Sequence, residues 1–250
     1  MAFQTVFKRY ELKYMLTLDQ KEKILEAMSP YMALDKYGRT AIRNVYFDTD
    51  NYRLIRRSIE KPQYKEKLRI RSYSQATSDS TVFVELKKKY EKVVYKRRIP
   101  LREQDAMAWV CRESLCPVNT QISREIDYFI NFYGRLKPVM FLSYEREAYY
   151  EKSGGDFRVT FDDNILCRED GISLCEGAYG TPILPPGKVL MEVKCSGGIP
   201  LWMVEVLSRE KIYKTSFSKY GTAYTTLVFP KIHMKNSEKT KEIVTNECNI

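Results

Sequence analysis

Apolar and polar residues alternate along most of this chain, and a period of two residues predicts β-strands. The alternating segments are 3–14, 41–47, 63–73, 81–90, 92–100, 138–150, 156–163 and 188–195. The segments around QATSDS and Tyr90-Glu91 carry turn residues or allow a tight hairpin, so the three strands between 63 and 100 are predicted to be consecutive neighbours. The pattern therefore favours an antiparallel sheet.

A helical period occurs in fewer places. The segments that show it are 16–32, 50–59, 101–115, 119–134, 200–209 and 216–228. Thr17 and Gln20 have the spacing of a capping box at the start of the first of these helices, and Thr120 or Asn119 is the candidate cap of the helix over 119–134. Because strands outnumber helices and most connect by hairpins, the sequence predicts an α+β domain, with an antiparallel sheet or β-barrel and helices packed outside.

Charged residues are concentrated on one face of each predicted strand. Residues i and i+2 of a strand share a face, so Leu68 and Ile70 lie opposite an unbroken row of four cations. Thirteen cations lie on such charged faces: Arg9, Lys13, Lys65, Lys67, Arg69, Arg71, Lys87, Lys89, Lys96, Arg98, Arg146, Arg158 and Lys194. An ordinary solvated face explains one such strand. Seven strands with this pattern favour an anion among the cations, because stacked like charges destabilise a sheet.

The apolar faces of these strands need cover, and three predicted helices, 16–32, 101–115 and 119–134, are suited to provide it. If helices coat the outside, the charged faces point inward and a closed or nearly closed sheet encloses a charged tunnel. Buried unpaired charge is expensive, so water and an extended anion would have to fill such a tunnel.

Composition agrees with that placement of charge. The chain has 250 residues, with 42 Lys and Arg against 32 Asp and Glu, and a formal net charge of +10. The inward acids are Glu11, Glu85, Asp162 and Glu192. Thirteen cations against these four acids assign nearly all of the net charge to the tunnel. We expect no nucleic-acid partner, because a duplex could not enter a tunnel of this kind.

Several classes of protein lack support in the sequence. No run approaches the roughly 18 apolar residues of a membrane-spanning helix, and the N-terminus lacks a signal-peptide layout, so we expect a cytoplasmic protein without a transmembrane segment. Six cysteines without a CxxC pair and a single His disfavour a zinc site or a disulfide framework. No Walker or GxGxxG motif is present. We predict one domain over 1–230 and a polar, flexible tail over 231–250.

The predicted tunnel suits phosphate chemistry. Arg offers forked hydrogen bonds to phosphate oxygens and Lys offers a point charge. The interleaved carboxylates are candidate salt-bridge partners or metal ligands, since Mg²⁺ is commonly held by one or two carboxylates together with phosphate oxygens. Such a site favours phosphoryl transfer by positioning and charge neutralisation, without a covalent intermediate.

An ordered series of short motifs runs from Phe3 to Phe229. It reads RYELKY, YFDTDNY, KLRIRSY, VFVELKKK, YKRRI, LSYEREAY, FRVTFD, LMEVKCSGGIPLW and SFSKY. This series resembles the VTC domain, the catalytic module of the fungal vacuolar polyphosphate polymerase, which also has stand-alone bacterial versions. The VTC domain belongs to the CYTH-like, or triphosphate tunnel metalloenzyme, superfamily. The resemblance implies an eight-stranded antiparallel tunnel in which Mn²⁺ or Mg²⁺ supports transfer of the γ-phosphate of ATP to inorganic polyphosphate.

The resemblance also implies roles for individual residues. The catalytic, phosphate-binding cations are Lys13, Arg69, Arg71, Lys87, Arg146 and Arg158. Glu192 matches the metal-binding glutamate. Substrate-binding residues, from the motifs or from strand parity, are Arg9, Glu11, Tyr46, Lys67, Glu85, Lys89, Lys96, Arg98, Tyr144, Lys194, Ser218 and Lys219. Ser218 and Lys219 match a terminal-phosphate motif on a helix.

One departure from the wider superfamily bears on activity. Its hydrolases and cyclases tend to begin with ExExK, whereas this chain has RxExK because Arg9 replaces the first carboxylate. Fewer acids leave less room for a second metal ion, which favours chain extension over hydrolysis. Two alternatives stay open: a tripolyphosphatase or nucleoside triphosphatase on the same fold, and a non-catalytic module that binds polyphosphate or inositol phosphate. No feature of the sequence sets the oligomeric state.

Overall fold

A computed structural model of the protein describes residues 10–91 and 93–234. Its strands are β1 Tyr10–Thr17, β2 Met32–Asp48, β3 Tyr64–Ser72, β4 Thr81–Tyr90, β5 Val93–Arg102, β6 Lys137–Glu151, β7 Arg158–Arg168, β8 Thr181–Pro182 and β9 Lys188–Cys195. Its helices are α1 Leu18–Met28, α2 Arg53–Ile59, α3 Glu103–Val110, α4 Gln121–Tyr133, α5 Leu201–Arg209 and α6 Lys219–Ala223. A π-helical turn, Tyr224–Val228, follows α6, and helical structure continues over 229–234.

The strands form one antiparallel sheet, as predicted. Eight strands follow one another in the order β1-β9-β7-β6-β2-β3-β4-β5, and the two-residue β8 pairs with β7. Within the described residues, β1 and β5 are the two ends of this order and do not pair with each other, so the sheet is barrel-like without being closed by hydrogen bonds. A short segment reaches the edge of β1: Tyr14 bridges to Lys214, and the Thr215 amide donates to the Lys13 carbonyl at 2.7 Å.

Helices cover the apolar outer faces, which confirms that part of the prediction. On one side, Leu68, Ile70 and Val84 of the sheet pack with Trp109 of α3 and Phe129 of α4. On the other side, a second group includes residues of β1, β7 and β9 with residues of α1 and α5. Since strand parity puts these apolar residues outside, the charged residues between them point inward.

Element boundaries follow the local sequence signals. Thr17 and Gln20 form the predicted capping box of α1, and Thr120, one of two candidates, caps α4. The predictions 16–32 and 101–115 exceed the observed helices by the most residues. Helix α1 ends at Met28, and β2 begins at Met32, well before 41–47. Helix α3 starts only at Glu103, because β5 continues through Arg102, and it ends at Val110, before the predicted end at 115.

The last helix lies on the inner side of the sheet and not outside it. Tyr220, Ala223 and Tyr224 pack in one buried group with Ile42 of β2 and Leu142 of β6, which point inward by parity. One part of the interior is therefore apolar, because β2 and β6 interrupt the charged pattern with aliphatic residues. This packing brings the N-terminal end of α6 into the barrel.

Part of the predicted tail falls within the structure. Residues 231–234 continue the terminal helix, whereas 235–250 lie outside the described residues. Over the stretches that the structure describes, none of the helices combines the length and the apolar character that crossing a membrane would require.

Candidate functional site

The interior of the barrel, called the lumen below, is lined by cross-strand rows of charged side chains. Tyr46 pairs with Arg69, Arg69 with Glu85 and Glu85 with Arg98. On the opposite wall, Lys13 pairs with Glu192. Residues in register share a face of a sheet. The strand pairing thus brings together the cations that the sequence predicted on separate strands.

The first group, the Glu192 cluster, consists of Glu192, Asp162, Lys13, Arg146, Lys194 and Lys219. Glu192 is 6% exposed, and its carboxylate lies 3.2 Å from Lys194 and Lys219, 3.3 Å from Lys13 and 3.5 Å from Arg146. Burial by itself raises the pKa of Glu192, but the four cations, led by Lys219, hold that pKa well below its ordinary value. Glu192 is therefore ionised at neutral pH.

Asp162 is the second carboxylate of this cluster, and its side chain is fully buried. It accepts two hydrogen bonds from Arg146, at 2.5 and 2.6 Å, and it pairs with Lys219 at 2.5 Å. Burial alone lowers the pKa of Lys219, yet Asp162 and Glu192 raise it above its ordinary value. Lys219 is thus a permanent cation that anchors the end of α6 to the sheet.

The second group, the Glu85 cluster, consists of Glu85, Arg69, Arg71, Lys96 and Arg98. Glu85 is 1% exposed, and its carboxylate lies 2.5 Å from Lys96, 2.8 Å from Arg69, 3.5 Å from Arg98 and 3.9 Å from Arg71. Burial raises the pKa of Glu85, but Arg69 and Arg71 lead the cations that hold it well below its ordinary value. The four cations outnumber the single carboxylate, which leaves this wall positive.

Neutral groups hold two of the three arginines of this cluster, Arg69 and Arg71, in place. Arg69 donates to the Tyr46 hydroxyl at 3.0 Å, and Arg71 donates to the Tyr144 hydroxyl at 2.9 Å. Asn44 accepts a further bond from Arg71 at 2.9 Å, and its own amide donates to the Leu142 carbonyl. Sequence analysis did not select Asn44, although it shares the inward parity of Tyr46. The aromatic and amide groups fix the guanidinium orientation without cancelling its charge.

Glu11 joins β1, one end of the sheet, to β4. Its carboxylate lies 3.5 Å from Lys13 of its own strand and 3.2 Å from Lys87 of β4, the strand next to the end strand β5. Lys87 contributes most to holding the pKa of Glu11 far below its ordinary value. This ion pair therefore links strands on the two sides of the open edge without backbone pairing.

Three lysines form a different kind of surface, called the lysine row: Lys65, Lys67 and Lys89. Lys65 donates to the Ser58 carbonyl at 3.2 Å, and Lys67 donates to the Ser218 hydroxyl at 3.1 Å. Over 10–91 and 93–234, none of the three forms an ion pair with a carboxylate. Lys67 pairs with Lys87 and Lys65 with Lys89, so cation faces cation across the strands.

Crowding of charge is visible in the lysine pKa values. Burial, and next the charge of Lys87, lowers the pKa of Lys67 from 10.5 to about 7. Burial likewise lowers the pKa of Lys96 to about 7, although Glu85 acts against this change. An anion placed beside Lys67 would restore its positive charge.

One predicted cation, Arg158, lies apart from these contacts. Arg158 is exposed at the end of β7, where it pairs in register with Lys194. Arg9 lies outside the described residues.

The predicted metal ligand Glu192 has the oxygen chemistry that Mg²⁺ and Mn²⁺ prefer, and both Glu192 and Glu11 pair with Lys13. However, no group of three or more His, Cys, Asp or Glu within the described part of the chain is arranged to hold a metal ion by itself.

A buried carboxylate that sequence analysis missed positions the end of α6. Asp48 is fully buried and accepts hydrogen bonds from the backbone amides of Leu54 and Ile55 and from the Tyr220 hydroxyl at 2.9 Å. Tyr220 also stacks on Tyr46, with ring centroids 4.5 Å apart. Since Tyr220 follows Lys219 directly, this contact fixes the residues that enter the lumen. Asp48 and Tyr220 are 172 positions apart, so no local pattern relates them.

Two solved structures align with most of this chain. A structure from Bacillus halodurans, assigned as an adenylate cyclase, aligns with a TM-score of 0.54 at 15% identity, covering 86% of this chain and 96% of that one. An adenylyl cyclase candidate from Hippeastrum, described as having a dominant triphosphatase activity, aligns with a TM-score of 0.52 at 16% identity, covering 87% and 95%. These likenesses show a shared fold. No curated protein sequence matches the chain.

The family is shown by a separate comparison. The family described as the VTC domain matches residues 8–228, which include every strand of the sheet and both carboxylate clusters. Family and fold together support a tunnel enzyme that handles polyphosphate or triphosphate. The chain belongs to the VTC domain family.

Proposed function

We propose that the protein is a metal-dependent polyphosphate polymerase, which transfers the γ-phosphate of ATP to a growing inorganic polyphosphate chain. The observation that carries this proposal is the lysine row, where Lys65, Lys67 and Lys89 face the lumen without carboxylate partners among the described residues. Such a row is stabilised by an external anion, and a phosphate chain supplies negative charge along its whole length. ATP as donor also favours a cytoplasmic location.

The spacing of the cations suits a chain of phosphoryl groups. Successive inward residues of a strand lie roughly 6–7 Å apart, and neighbouring strands lie about 4.8 Å apart. Lys67 and Arg69 of β3 thus follow one another along the lumen, with Lys87 of β4 beside them. We infer that the donor triphosphate lies between the Glu85 cluster and the Glu192 cluster, where Arg69, Arg71, Lys13 and Arg146 reach its oxygens.

The proposed reaction needs little from the protein beyond charge and orientation. A terminal oxygen of the acceptor chain attacks the γ-phosphorus of ATP, and a new P–O bond forms. The bond between that phosphorus and the β–γ bridging oxygen breaks, and ADP leaves with the electron pair. The attacking oxygen is already anionic, so no dedicated base is required. Arg69 and Arg146, held by Tyr46 and Asp162, stabilise the charge on the transferred group.

Two carboxylates of the lumen have the oxygen chemistry to hold a divalent ion. Glu192, with Glu11 close to the same lysine, would hold Mn²⁺ or Mg²⁺, and phosphate oxygens would complete its coordination. When bound, the ion would neutralise charge on the phosphates.

A triphosphatase is the second candidate function. The Hippeastrum structure is described by a dominant triphosphatase activity, and it shares the fold at 16% identity. Hydrolysis would replace the acceptor phosphate with water inside the same lumen. A non-catalytic phosphate binder is the third possibility, and the ionised carboxylates in the lumen argue against it.

Incubation of the purified protein with ATP and MnCl₂ or MgCl₂ tests the proposal, with polyphosphate, ADP and free phosphate all measured. Polyphosphate together with ADP is the expected result. Free phosphate without polymer would select the triphosphatase, and binding without turnover would select the binder. Lys89→Met should reduce the rate, whereas Lys88→Met provides a matched control on the same strand, because Lys88 points to the opposite face beside Glu125 of α4.

A further inference from the structure

Thr160 has an inward-facing hydroxyl without a hydrogen-bond partner within the described chain. It lies in the middle of β7, where it pairs with Glu192 of β9 on one side and with Ala148 of β6 on the other. The residue is only 7% exposed, and its Oγ1 atom forms no hydrogen bond to the described residues. Buried hydroxyl groups of this kind are uncommon, and each costs about 1–3 kcal/mol when left unsatisfied.

The surroundings of this hydroxyl belong to the lumen. Arg158 and Asp162 share its face of β7, and Glu192 beside it contacts Lys13 and Arg146. Asp162 and Glu192 are already engaged with cations of the Glu192 cluster, whereas the Thr160 hydroxyl is neutral and has no partner among the described residues. Ala148, its register partner on β6, has no polar side-chain group that could bond to the hydroxyl. Oγ1 is itself covered by neighbouring atoms, so a phosphoryl oxygen would reach it by displacing the side chains above it.

We propose that Thr160 is a binding residue for the phosphate chain, and that its hydroxyl donates a hydrogen bond to a phosphoryl oxygen beside Glu192. The inference rests on the proposed function, because it takes a phosphate chain as the ligand. A hydroxyl can donate to an anionic oxygen without adding charge. In this position it discriminates by geometry, whereas the surrounding cations attract any anion.

The chain offers a matched control for this role. Ser143 of β6 also has a buried hydroxyl without a partner in the described chain, and it is 3% exposed. Its parity is opposite to that of the inward residue Tyr144, and it pairs with Arg43 of β2 on the outer face of the sheet. Removal of either hydroxyl relieves a similar desolvation cost, but only Thr160 faces the lumen.

Four proteins are compared: wild type, Thr160→Val, Thr160→Ser and Ser143→Ala. Calorimetric titration with sodium tripolyphosphate measures affinity, and thermal unfolding without ligand measures stability. Valine keeps the β-branched shape that suits a strand, so Thr160→Val should unfold at the same temperature as wild type or higher. Its tripolyphosphate Kd should nevertheless rise roughly fivefold, as expected for one lost hydrogen bond. Thr160→Ser should bind within about twofold of wild type, and Ser143→Ala should bind as wild type.

The outcomes separate this inference from the proposed function. If wild type binds tripolyphosphate and Thr160→Val binds it equally well, the role of Thr160 is wrong while the function stands. A lowered unfolding temperature for Thr160→Val would also overturn the inference, since it would show that the hydroxyl supports the fold. If wild type does not bind tripolyphosphate, the proposed function fails and the inference fails with it.

Discussion

The Glu192 cluster and the lysine row line the same lumen but handle charge in opposite ways. In the Glu192 cluster, the carboxylates of Glu192 and Asp162 bind cations from β1, β6, β9 and α6 at 2.5–3.5 Å. In the lysine row, Lys67 faces Lys87 and Lys65 faces Lys89, and of these four lysines only Lys87 pairs with a carboxylate, that of Glu11, within the described residues. Each cation of the Glu192 cluster contacts a carboxylate, whereas the lysine row has positive charges without carboxylate partners among the described residues.

This difference predicts which of the residues stabilise the fold and which of them bind the ligand. Ion pairs in the Glu192 cluster hold the first strand, the last strand and α6 in one place, so removal of a carboxylate should affect both fold and activity. Mutual repulsion in the lysine row opposes folding, so its lysines are expected to contribute to binding alone. Substitutions in the two regions should therefore differ in their effect on stability.

The largest effect is expected from Glu192→Gln. The substitution keeps the shape of the side chain but leaves Lys13, Arg146, Lys194 and Lys219 with one carboxylate fewer. Breaking a buried pair in this way costs about 3–5 kcal/mol. We expect the free energy of unfolding to fall by about 3 kcal/mol, and turnover of ATP to fall by about 100-fold, typical of a lost electrostatic group. Denaturant unfolding and steady-state kinetics measure the two effects.

Glu205→Gln on the exposed side of α5 serves as the control, and it should change neither quantity. Full stability of Glu192→Gln would contradict the structural part of the comparison, and full activity would contradict its role in the lumen.

Lys67→Met should separate binding from stability. Removal of this charge relieves repulsion from Lys65 and Lys87, so the free energy of unfolding should stay equal or rise. Affinity for tripolyphosphate should fall by about tenfold, as one charge-assisted hydrogen bond is lost. The loss should shrink as salt is added, because counterions screen the remaining attraction. Titration at two salt concentrations, with Lys88→Met as control, measures this, and a destabilised Lys67→Met would refute it.

The pH dependence of binding tests the role of Lys67 in the lysine row. The pKa of Lys67 falls from 10.5 in the unfolded chain to about 7 in the fold, so between these values the unfolded chain carries the extra proton. Its contribution therefore makes stability rise with pH over that range. A bound phosphate chain restores the charge, so binding should take up protons and weaken as pH rises above about 7.

Calorimetric titration at pH 8.5 in two buffers of different ionisation enthalpy measures that uptake. Wild type should take up more protons per bound tripolyphosphate than Lys67→Met does. Equal uptake by the two proteins would show that Lys67 is not the group that responds to the ligand.

The smallest effect is expected from Tyr220→Phe. The substitution keeps the ring that stacks on Tyr46 but removes the hydroxyl that donates to the buried carboxylate of Asp48. One lost hydrogen bond costs about 1 kcal/mol, and the end of α6 that holds Lys219 should gain freedom. We expect a modest loss of stability and a rate reduced severalfold. An unchanged rate would limit the Asp48 contact to a structural role.

Strand parity in the sequence is sufficient to predict which residues line the walls of the lumen. β4 and β9 match the predicted boundaries, 81–90 and 188–195, because turns bound each strand on both sides. β2 was missed over 33–40, since its pairing with β6 is irregular between Leu34 and Arg39 and Gly38 has a positive φ. An interrupted ladder breaks the period of two on which the prediction depends.

The contents of the lumen were harder to predict. An amphipathic helix shows that one of its faces is buried, but its pattern does not say which side of a sheet it covers. The packing of Tyr220 and Tyr224 on inward residues therefore emerges only from the fold. The same holds for Asn44 and Thr160, whose parity is legible while their contacts are not. Lys219 was found through the resemblance alone.

The most direct test of the central claim is a crystal structure of the protein grown with tripolyphosphate. The account predicts a phosphate chain inside the lumen, with phosphoryl oxygens about 3 Å from the Nζ atom of Lys67 and from the guanidinium of Arg69. Lysines of the row should turn toward it, and the ion pairs of Glu192 with Lys13 and Lys219 should persist. A lumen without phosphate, in crystals where the anion lies on the outer face near Lys88, would contradict the account.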